Sequence, residues 1–162
     1  MAGFARSQRI GGRPEDVFTF LTSPENIPSY MPDVVRVEGT SPGPPRVGAS
    51  YRETRRLGKR TASATITVSA CDPPRHYAVT ADDGCFRATY DFRLRPEEGR
   101  TVVDLAAEVG AAWVFLRPLV PMMLRMMRRA DADLLDRLKR AFEARALAPS
   151  VPRREREMSF VL

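Results

Sequence analysis

Apolar and polar residues alternate with a period of two through the middle of the chain, between residues 47 and 109. Turn-forming clusters such as Asp82-Asp83-Gly84 and Glu97-Glu98-Gly99 interrupt this alternation at intervals. A period of two places successive side chains on opposite faces of a strand. The pattern therefore predicts an antiparallel meander of strands over residues 47–57, 61–71, 76–81, 85–95 and 101–109.

Two further strands and two short helices are predicted before this meander. Residues 2–10 form a weakly alternating strand that ends at Gly11-Gly12, and residues 34–37 form another. Between them, Pro14 followed by two acids opens one helix, and Ser23-Pro24 opens a second that runs to about Tyr30. A proline-rich connection over residues 41–45 cannot join a strand ladder.

The period changes to that of a helix from residue 118 to about residue 148. A helix of about 30 residues would be about 45 Å long. Its acids at 131, 133 and 136 are expected to face its basic residues at 137, 139 and 140. The predicted buried stripe consists of Val120, Met123, Met127, Leu134, Leu138 and Ala141.

These elements predict an α+β fold of the helix-grip type. A strongly curved antiparallel sheet of seven strands would hold the C-terminal helix across its concave face, with the two short helices after the first strand. The curvature is expected to leave a pocket beneath the helix. Residues 1–148 would form one ligand-binding domain, and residues 149–162 a tail that is mobile or docked.

Several short motifs follow one another along the chain in a fixed order, namely Pro14-Glu15-Asp16-Val17-Phe18, Ser23-Pro24-Glu25-Asn26, Tyr30-Met31-Pro32, Val47-Gly48 with Tyr51, Asp72-Pro73-Pro74-Arg75, Gly99-Arg100-Thr101 and Leu134 to Lys139. This order resembles the START-related helix-grip superfamily (SRPBCC), specifically its bacterial polyketide cyclase/dehydrase and lipid-transport group. Tyr30 stands where many members have Trp, and the basic tail has no counterpart in the family. Membership implies a pocket more firmly than it implies one reaction.

Composition and charge narrow the range of functions. The chain has 162 residues, 43% of them hydrophobic, and a net charge of +6. The sequence pattern contains neither a signal peptide nor a run of apolar residues long enough to span a membrane, so we expect a cytoplasmic protein. The single histidine, His76, is expected on the pocket rim, and two separated thiols, Cys71 and Cys85, predict neither a metal site nor a disulfide. We expect no cofactor and no nucleic-acid partner.

Two charged residues fall on the predicted inward face of the strand over residues 47–57. The side chains on this face are those of Val47, Ala49, Tyr51 and Leu57 together with Glu53 and Arg55. A buried charge must be paired, and a carboxylate in an apolar cavity could act as general acid or base while the guanidinium stabilises an enolate oxygen. The alternatives are a structural ion pair at the pocket mouth and a shifted strand register that would expose both side chains. The predicted catalytic set is Glu53, Arg55, Tyr51 and Tyr90.

Ligand contacts are expected from the inward faces of the other strands and from the C-terminal helix. The predicted inward face of the strand over residues 61–71 is rich in alanine, with Ala62, Ala64 and Ala70 beside Ile66 and Val68. Such small side chains suggest that the sheet leaves space for a ligand. The predicted ligand-binding residues are Ile66, Val68, Phe92, Leu105, Trp113, Met123, Met127, Asp131 and Leu134.

Three functions remain open at this point. An enzyme of the cyclase or dehydrase type is slightly preferred over a carrier or sensor of a lipid, quinone or other apolar ligand. The third function is that of a membrane-surface or assembly partner, which would act through the basic helix and the apolar end of the tail. The cluster of methionines at 122, 123, 126 and 127, near Trp113, suits a gate, a homodimer contact or a contact with a membrane surface.

Overall fold

One curved antiparallel sheet organises the computed structural model, which describes residues 2–39 and 43–148. Its seven strands follow the order β1-β7-β6-β5-β4-β3-β2, so that neighbours in sequence pair and β1 closes against β7. The predicted meander is therefore confirmed. The strands are β1 (Ala2–Ile10), β2 (Val34–Glu38), β3 (Ser50–Leu57), β4 (Arg60–Asp72), β5 (His76–Asp82), β6 (Phe86–Glu97) and β7 (Arg100–Ala111).

Short helices fill the connection between β1 and β2, as predicted. Helix α1 (Pro14–Thr22) begins at a proline and buries Val17, Phe18, Phe20 and Leu21. A 3-10 turn (Pro24–Asn26) leads into α2 (Ile27–Tyr30), and the Tyr30 hydroxyl donates to the Leu21 carbonyl at 2.9 Å. The two helices are thereby fixed against each other on the concave side of the sheet.

The predicted single helix over residues 118–148 is divided in two. A 3-10 helix (Val114–Leu119) leads into α3 (Val120–Ala130), and α4 (Leu134–Leu147) follows after a break at residues 131–133. Arg137 stabilises the break by donating to the carbonyls of Ala130 at 3.1 Å and Tyr30 at 3.0 Å. The periodicity could not show the break, because the apolar stripe continues from α3 into α4, although α4 alone has fully buried residues.

Helix α4 packs closely on the sheet. Leu134 and Leu138 are fully buried, in one cluster with Ile10, Val103 and Leu105. At Gly12, whose φ is +144°, an added Cβ would lie 2.6 Å from the Phe142 ring, so only glycine fits there. The first half of α4 thus forms part of the packed core.

On β6 and β7 one face is apolar and points inward, with Phe92, Leu94, Val103 and Leu105 buried, but β4 contains an irregularity. Its register shifts between Val68 and Ala70, so Ala70 pairs with Ala78 and Cys71 pairs with Tyr77. A shift of one residue reverses the face of the side chains that follow it. The prediction that Ala70 points inward was therefore wrong, and Cys71 packs against the core instead.

Several other expectations are corrected on the surface. Val47 precedes β3 and is exposed, as is Leu57 at the end of that strand. His76 lies on the outer face, with Nε2 2.8 Å from Asp91 Oδ2, and not on the pocket rim. On α4, the residues expected to pair with the acids find other partners, since Lys139 binds Glu143 at 2.6 Å and Arg137 binds backbone carbonyls.

Both cysteines are free thiols, as predicted. No helix in the described ranges has the length and apolar character needed to cross a bilayer. The predicted tail over residues 149–162 lies outside the described residues.

Candidate functional site

A cavity of about 240 Å³ lies between the concave face of the sheet and α3. Small side chains on the strands make this space, notably Ala64, Ala81 and Ala88, and the thioethers of α3 close it. Its walls are largely apolar, but four polar side chains meet at one end. The wall residues on α3 are Met123, Met126 and Met127, and the polar residues are Glu53, Arg55, Tyr90 and Asp131.

Glu53 and Arg55 form an ion pair on the inward face of β3. They are two residues apart in one strand, so their side chains point to the same side. Arg55 Nε lies 2.5 Å from Glu53 Oε1, and Arg55 Nη2 lies 3.6 Å from Met31 Sδ. Glu53 is only 4% exposed. Burial by itself lowers the pKa of Arg55, but the adjacent Glu53 outweighs this and raises it, so Arg55 stays charged.

Tyr90 and Asp131 form the second half of the polar cluster. Tyr90 Oη donates to Asp131 Oδ2 at 2.8 Å, and both residues are buried. Burial and the nearby Asp131 carboxylate raise the pKa of Tyr90, so the phenol keeps its proton. Burial also raises the pKa of Asp131, against the opposing effects of Tyr90 and Arg55. Asp131 is therefore a carboxyl group with increased proton affinity inside an apolar cavity.

A small void of about 30 Å³ lies beside the ion pair, between Glu53 and the rings of Tyr30, Tyr51, Tyr77 and Phe92. An open groove of about 780 Å³ lies between α1 and residues 43–45, and Tyr51 and Tyr77 line both spaces. The groove is larger than the cavity, but the residues that line it include no buried charge. The cavity under α3 is the better candidate site, because chemically active groups meet there.

The structure brings most of the predicted site residues to this region, in three groups. Glu53, Arg55, Tyr90, Ile66, Met123, Met127 and Asp131 line the cavity. Tyr51 and Phe92 line the narrow void, and Tyr51 also lines the groove together with Val68.

Three of the predicted ligand-binding residues lie elsewhere. Leu105 and Leu134 are fully buried in the packed core, since β7 and the first turn of α4 face each other there. Trp113 is 57% exposed beyond the end of β7, where its Nε1 donates to the Gly84 carbonyl at 3.2 Å and its ring stacks on Phe115. These three side chains do not line the cavity.

The pairing of Asp131 with Tyr90 is the feature that the sequence did not reveal. The helical spacing predicts that Asp131 contacts basic residues of its own helix. In the structure it lies at the end of α3, where the chain turns and aims the carboxylate at the sheet. Among the described residues, no group of three or more His, Cys, Asp or Glu is placed to hold a metal ion.

Comparisons with known proteins place the chain in a family. The sequence model for "Polyketide cyclase / dehydrase and lipid transport" matches residues 1–143, so the chain belongs to this family. No curated protein sequence matches it.

Solved structures share the fold at low sequence identity. A protein of Thermus thermophilus, TTHA0849, is 17% identical with a TM-score of 0.71, covering 90% of this chain and 99% of its own. The di-domain ARO/CYC StfQ, from the steffimycin biosynthetic pathway, is 15% identical with a TM-score of 0.69, covering 89% of this chain and 51% of its own. The structure named Ara h 8.0201 is 13% identical with a TM-score of 0.70, covering 88% of this chain and 98% of its own. The helix-grip fold is thereby confirmed.

Proposed function

We propose that this member of the polyketide cyclase/dehydrase and lipid transport family binds a small, largely apolar molecule with two carbonyl groups in the cavity under α3. There it promotes acid–base cyclisation and dehydration of that molecule. One observation supports this most directly, namely that two buried carboxyl groups, a guanidinium and a phenol line one end of an apolar cavity. The family description and the ARO/CYC proteins of the same fold agree with this class of chemistry.

Glu53 is the proposed general base. As a carboxylate it accepts from Arg55, and it can remove a proton from the carbon next to a carbonyl group. Arg55 would stabilise the resulting enolate oxygen, since its charge is held in place beside the cavity. The enolate carbon then forms the new bond to the second carbonyl carbon.

Asp131 is the proposed general acid. Its raised pKa favours a protonated carboxyl group, which can deliver a proton to the new alkoxide. In the dehydration that follows, the Asp131 carboxylate removes the second proton from the carbon next to the carbonyl group, and the protonated Glu53 gives its proton to the departing hydroxyl, which leaves as water. Both carboxyl groups thereby return to their starting protonation states. Tyr90 holds this carboxyl group by its hydrogen bond and orients it towards the cavity. Tyr51 lines the small void beside the ion pair and not the cavity itself, so it has no direct role in this scheme.

The cavity limits the size of the substrate. Its volume of about 240 Å³ lies just below the roughly 300–1,000 Å³ of typical small-molecule sites. The methionines of α3 are flexible and can adapt to a somewhat larger guest. A molecule of one or two rings, or its open-chain precursor, fits these dimensions.

A simple diketone tests the proposed chemistry. Heptane-2,6-dione closes by intramolecular aldol addition and loses water to give 3-methylcyclohex-2-enone, which proton NMR detects directly. We expect the protein to accelerate this reaction above the buffer rate. Glu53→Gln should abolish the acceleration while leaving affinity within about tenfold, because the amide keeps the shape but cannot take the proton.

A second pair of variants tests where the substrate binds. Ala88→Leu fills the cavity and should abolish both binding and acceleration, whereas Ala106→Leu, on the exposed outer face of neighbouring β7, should change neither. Full acceleration in Ala88→Leu would contradict the proposed site.

The alternative function is that of a carrier or sensor. The observation in its favour is the flexible wall of three methionines, which suits exchange of an apolar guest. Native mass spectrometry of the protein from its own source should then reveal a bound apolar molecule. If that molecule binds without being converted to a product, and binds the Glu53→Gln variant at the same rate as the wild-type protein, the carrier is favoured over the enzyme.

A further inference from the structure

The chain before and within α3 exposes an unusual number of apolar side chains. Trp113, Val114 and Phe115 are 57%, 73% and 75% exposed, and the Trp113 and Phe115 rings stack on each other at 6.3 Å. Leu119, Met122 and Met126 follow at positions i, i+3 and i+7, so they share one side of the helical segment and are also exposed. Together these six residues form what we term the apolar ridge. A concentration of exposed large apolar side chains in one short segment marks an interaction site.

Basic residues surround the apolar ridge. Arg117, Arg125, Arg128 and Arg129 are all exposed on the same segment. The sequence contains no acidic residue between Glu108 and Asp131. An exposed segment with aromatic and aliphatic side chains beside arginines is typical of helices that lie in the plane of a membrane surface.

The opposite side of the cavity mouth has the same character. The turn between β3 and β4 exposes Leu57, which also lines the cavity, and the neighbouring Arg56, Lys59 and Arg60 are exposed as well. Asp83 is the one acid among the exposed residues of the cavity lining. Basic side chains therefore stand on both sides of the mouth, with apolar side chains between them.

We propose that this face docks on an anionic lipid surface, with the apolar ridge inserted among the acyl chains and the basic residues on the headgroups. Positive charge alone would suit an acidic protein equally well, but exposed Trp113, Val114 and Phe115 gain far more from an apolar phase than from a charged protein surface. Docking in this way does not depend on whether the cavity is catalytic.

Docking would connect the membrane with the cavity. Met126 belongs to both the ridge and the cavity wall, and Leu57 lies at the opposite edge of the mouth. When the face that carries these two residues lies on the bilayer, the mouth of the cavity points towards the lipids. An apolar ligand could then pass directly between the membrane and the cavity. It would not have to cross water, and crossing water is the step that limits the transfer of such molecules.

Trp113 provides a direct probe of this proposal, since it is the only tryptophan in the chain. The full-length protein is mixed with vesicles of phosphatidylcholine alone or of phosphatidylcholine with phosphatidylglycerol. With the anionic vesicles we expect flotation, a blue shift of the tryptophan emission and protection from acrylamide. Binding should weaken as salt is raised, because salt screens the headgroup charge.

Charge-matched variants separate this face from a general effect of positive charge. Each basic residue at an anionic surface contributes roughly a fivefold change in partitioning, so Arg125→Glu/Arg128→Glu should weaken vesicle binding by at least about twenty-fivefold. Arg6→Glu/Arg140→Glu changes the net charge equally at exposed sites on β1 and α4, and should weaken binding much less. Phe115→Ala should reduce binding and leave its salt dependence intact. Circular dichroism confirms that each variant is folded.

Three results would overturn the proposal. The first is an unchanged Trp113 spectrum with anionic vesicles. The second is equal loss of binding in the two double variants, which would show that net charge alone is responsible. The third is binding to soluble poly-L-glutamate as tight as binding to vesicles, which would assign the face to an acidic protein partner.

Discussion

The hydroxyl group of Tyr90 donates a 2.8 Å hydrogen bond to the Asp131 carboxylate, and so connects the middle of β6 to the break between α3 and α4. Asp131 is 4% exposed and Tyr90 is 5% exposed, so neither group can exchange this partner for bulk water. The contact thus fixes where the C-terminal helical segment turns. It also places a carboxyl group at the end of the cavity.

Tyr90→Phe should destabilise the protein by about 1–3 kcal/mol, because it leaves the buried Asp131 carboxyl group without its hydrogen-bond donor. Urea denaturation measures this free energy of unfolding. In a double-mutant cycle with Asp131→Leu, the second substitution should recover part of the loss, since both polar groups are then absent. Strictly additive effects would show that the two side chains do not interact.

The stability of the protein should depend on pH through Asp131. Because burial raises the pKa of this carboxyl group above its unfolded value, the folded state binds the proton more tightly. The resulting stabilisation is complete below the unfolded pKa of about 4 and is lost as pH rises through the raised value.

The matched variant for this effect is Asp131→Asn, which cannot titrate. As pH is lowered from about 7 to about 4, the unfolding free energy of the wild-type protein should rise relative to that of the variant. Denaturant titrations at a series of pH values measure this difference. A constant difference across that range would show that Asp131 ionises equally readily in the folded and unfolded states.

Removal of Glu53 should be far more costly than removal of a surface acid. Glu53→Ala leaves the Arg55 charge largely buried and unpaired, which is expected to cost about 2–4 kcal/mol. The matched control is Glu38→Ala, which breaks the exposed Arg36–Glu38 pair and should cost less than about 1 kcal/mol. Similar costs for both variants, measured by urea denaturation, would argue that Glu53 is hydrated in solution.

Helix α3 should open more readily than α4. Leu138 on α4 is fully buried, so Leu138→Ala should cost about 2–5 kcal/mol, while Met122→Ala on the exposed side of α3 should change stability by less than about 0.5 kcal/mol. None of the α3 residues is buried, in contrast to four residues of α4. Amide hydrogen exchange is therefore expected to be faster throughout α3. Equal protection of the two helices would contradict a movable wall.

The sequence by itself determined the strands, the two early helices and the inward face of β3, β6, β7 and the first part of β4. Alternation with a period of two decides which face of a strand is apolar, as at Phe92 and Leu105, and turn residues decide where a strand ends. The inward placement of Glu53 and Arg55 followed from the same parity. Local patterning sufficed for these features because they depend on residues close together in the chain.

Only the tertiary structure decided where the helical segment breaks, where the space lies and which groups meet in it. Asp131 lies 41 residues from Tyr90 in sequence, and no local pattern indicates that the chain turns to bring them together. The shifted register at Ala70 and the surface position of Trp113 likewise depend on how neighbouring elements pack. A cavity is the space that side chains from distant segments fail to fill, so its position follows from the packing of the whole fold.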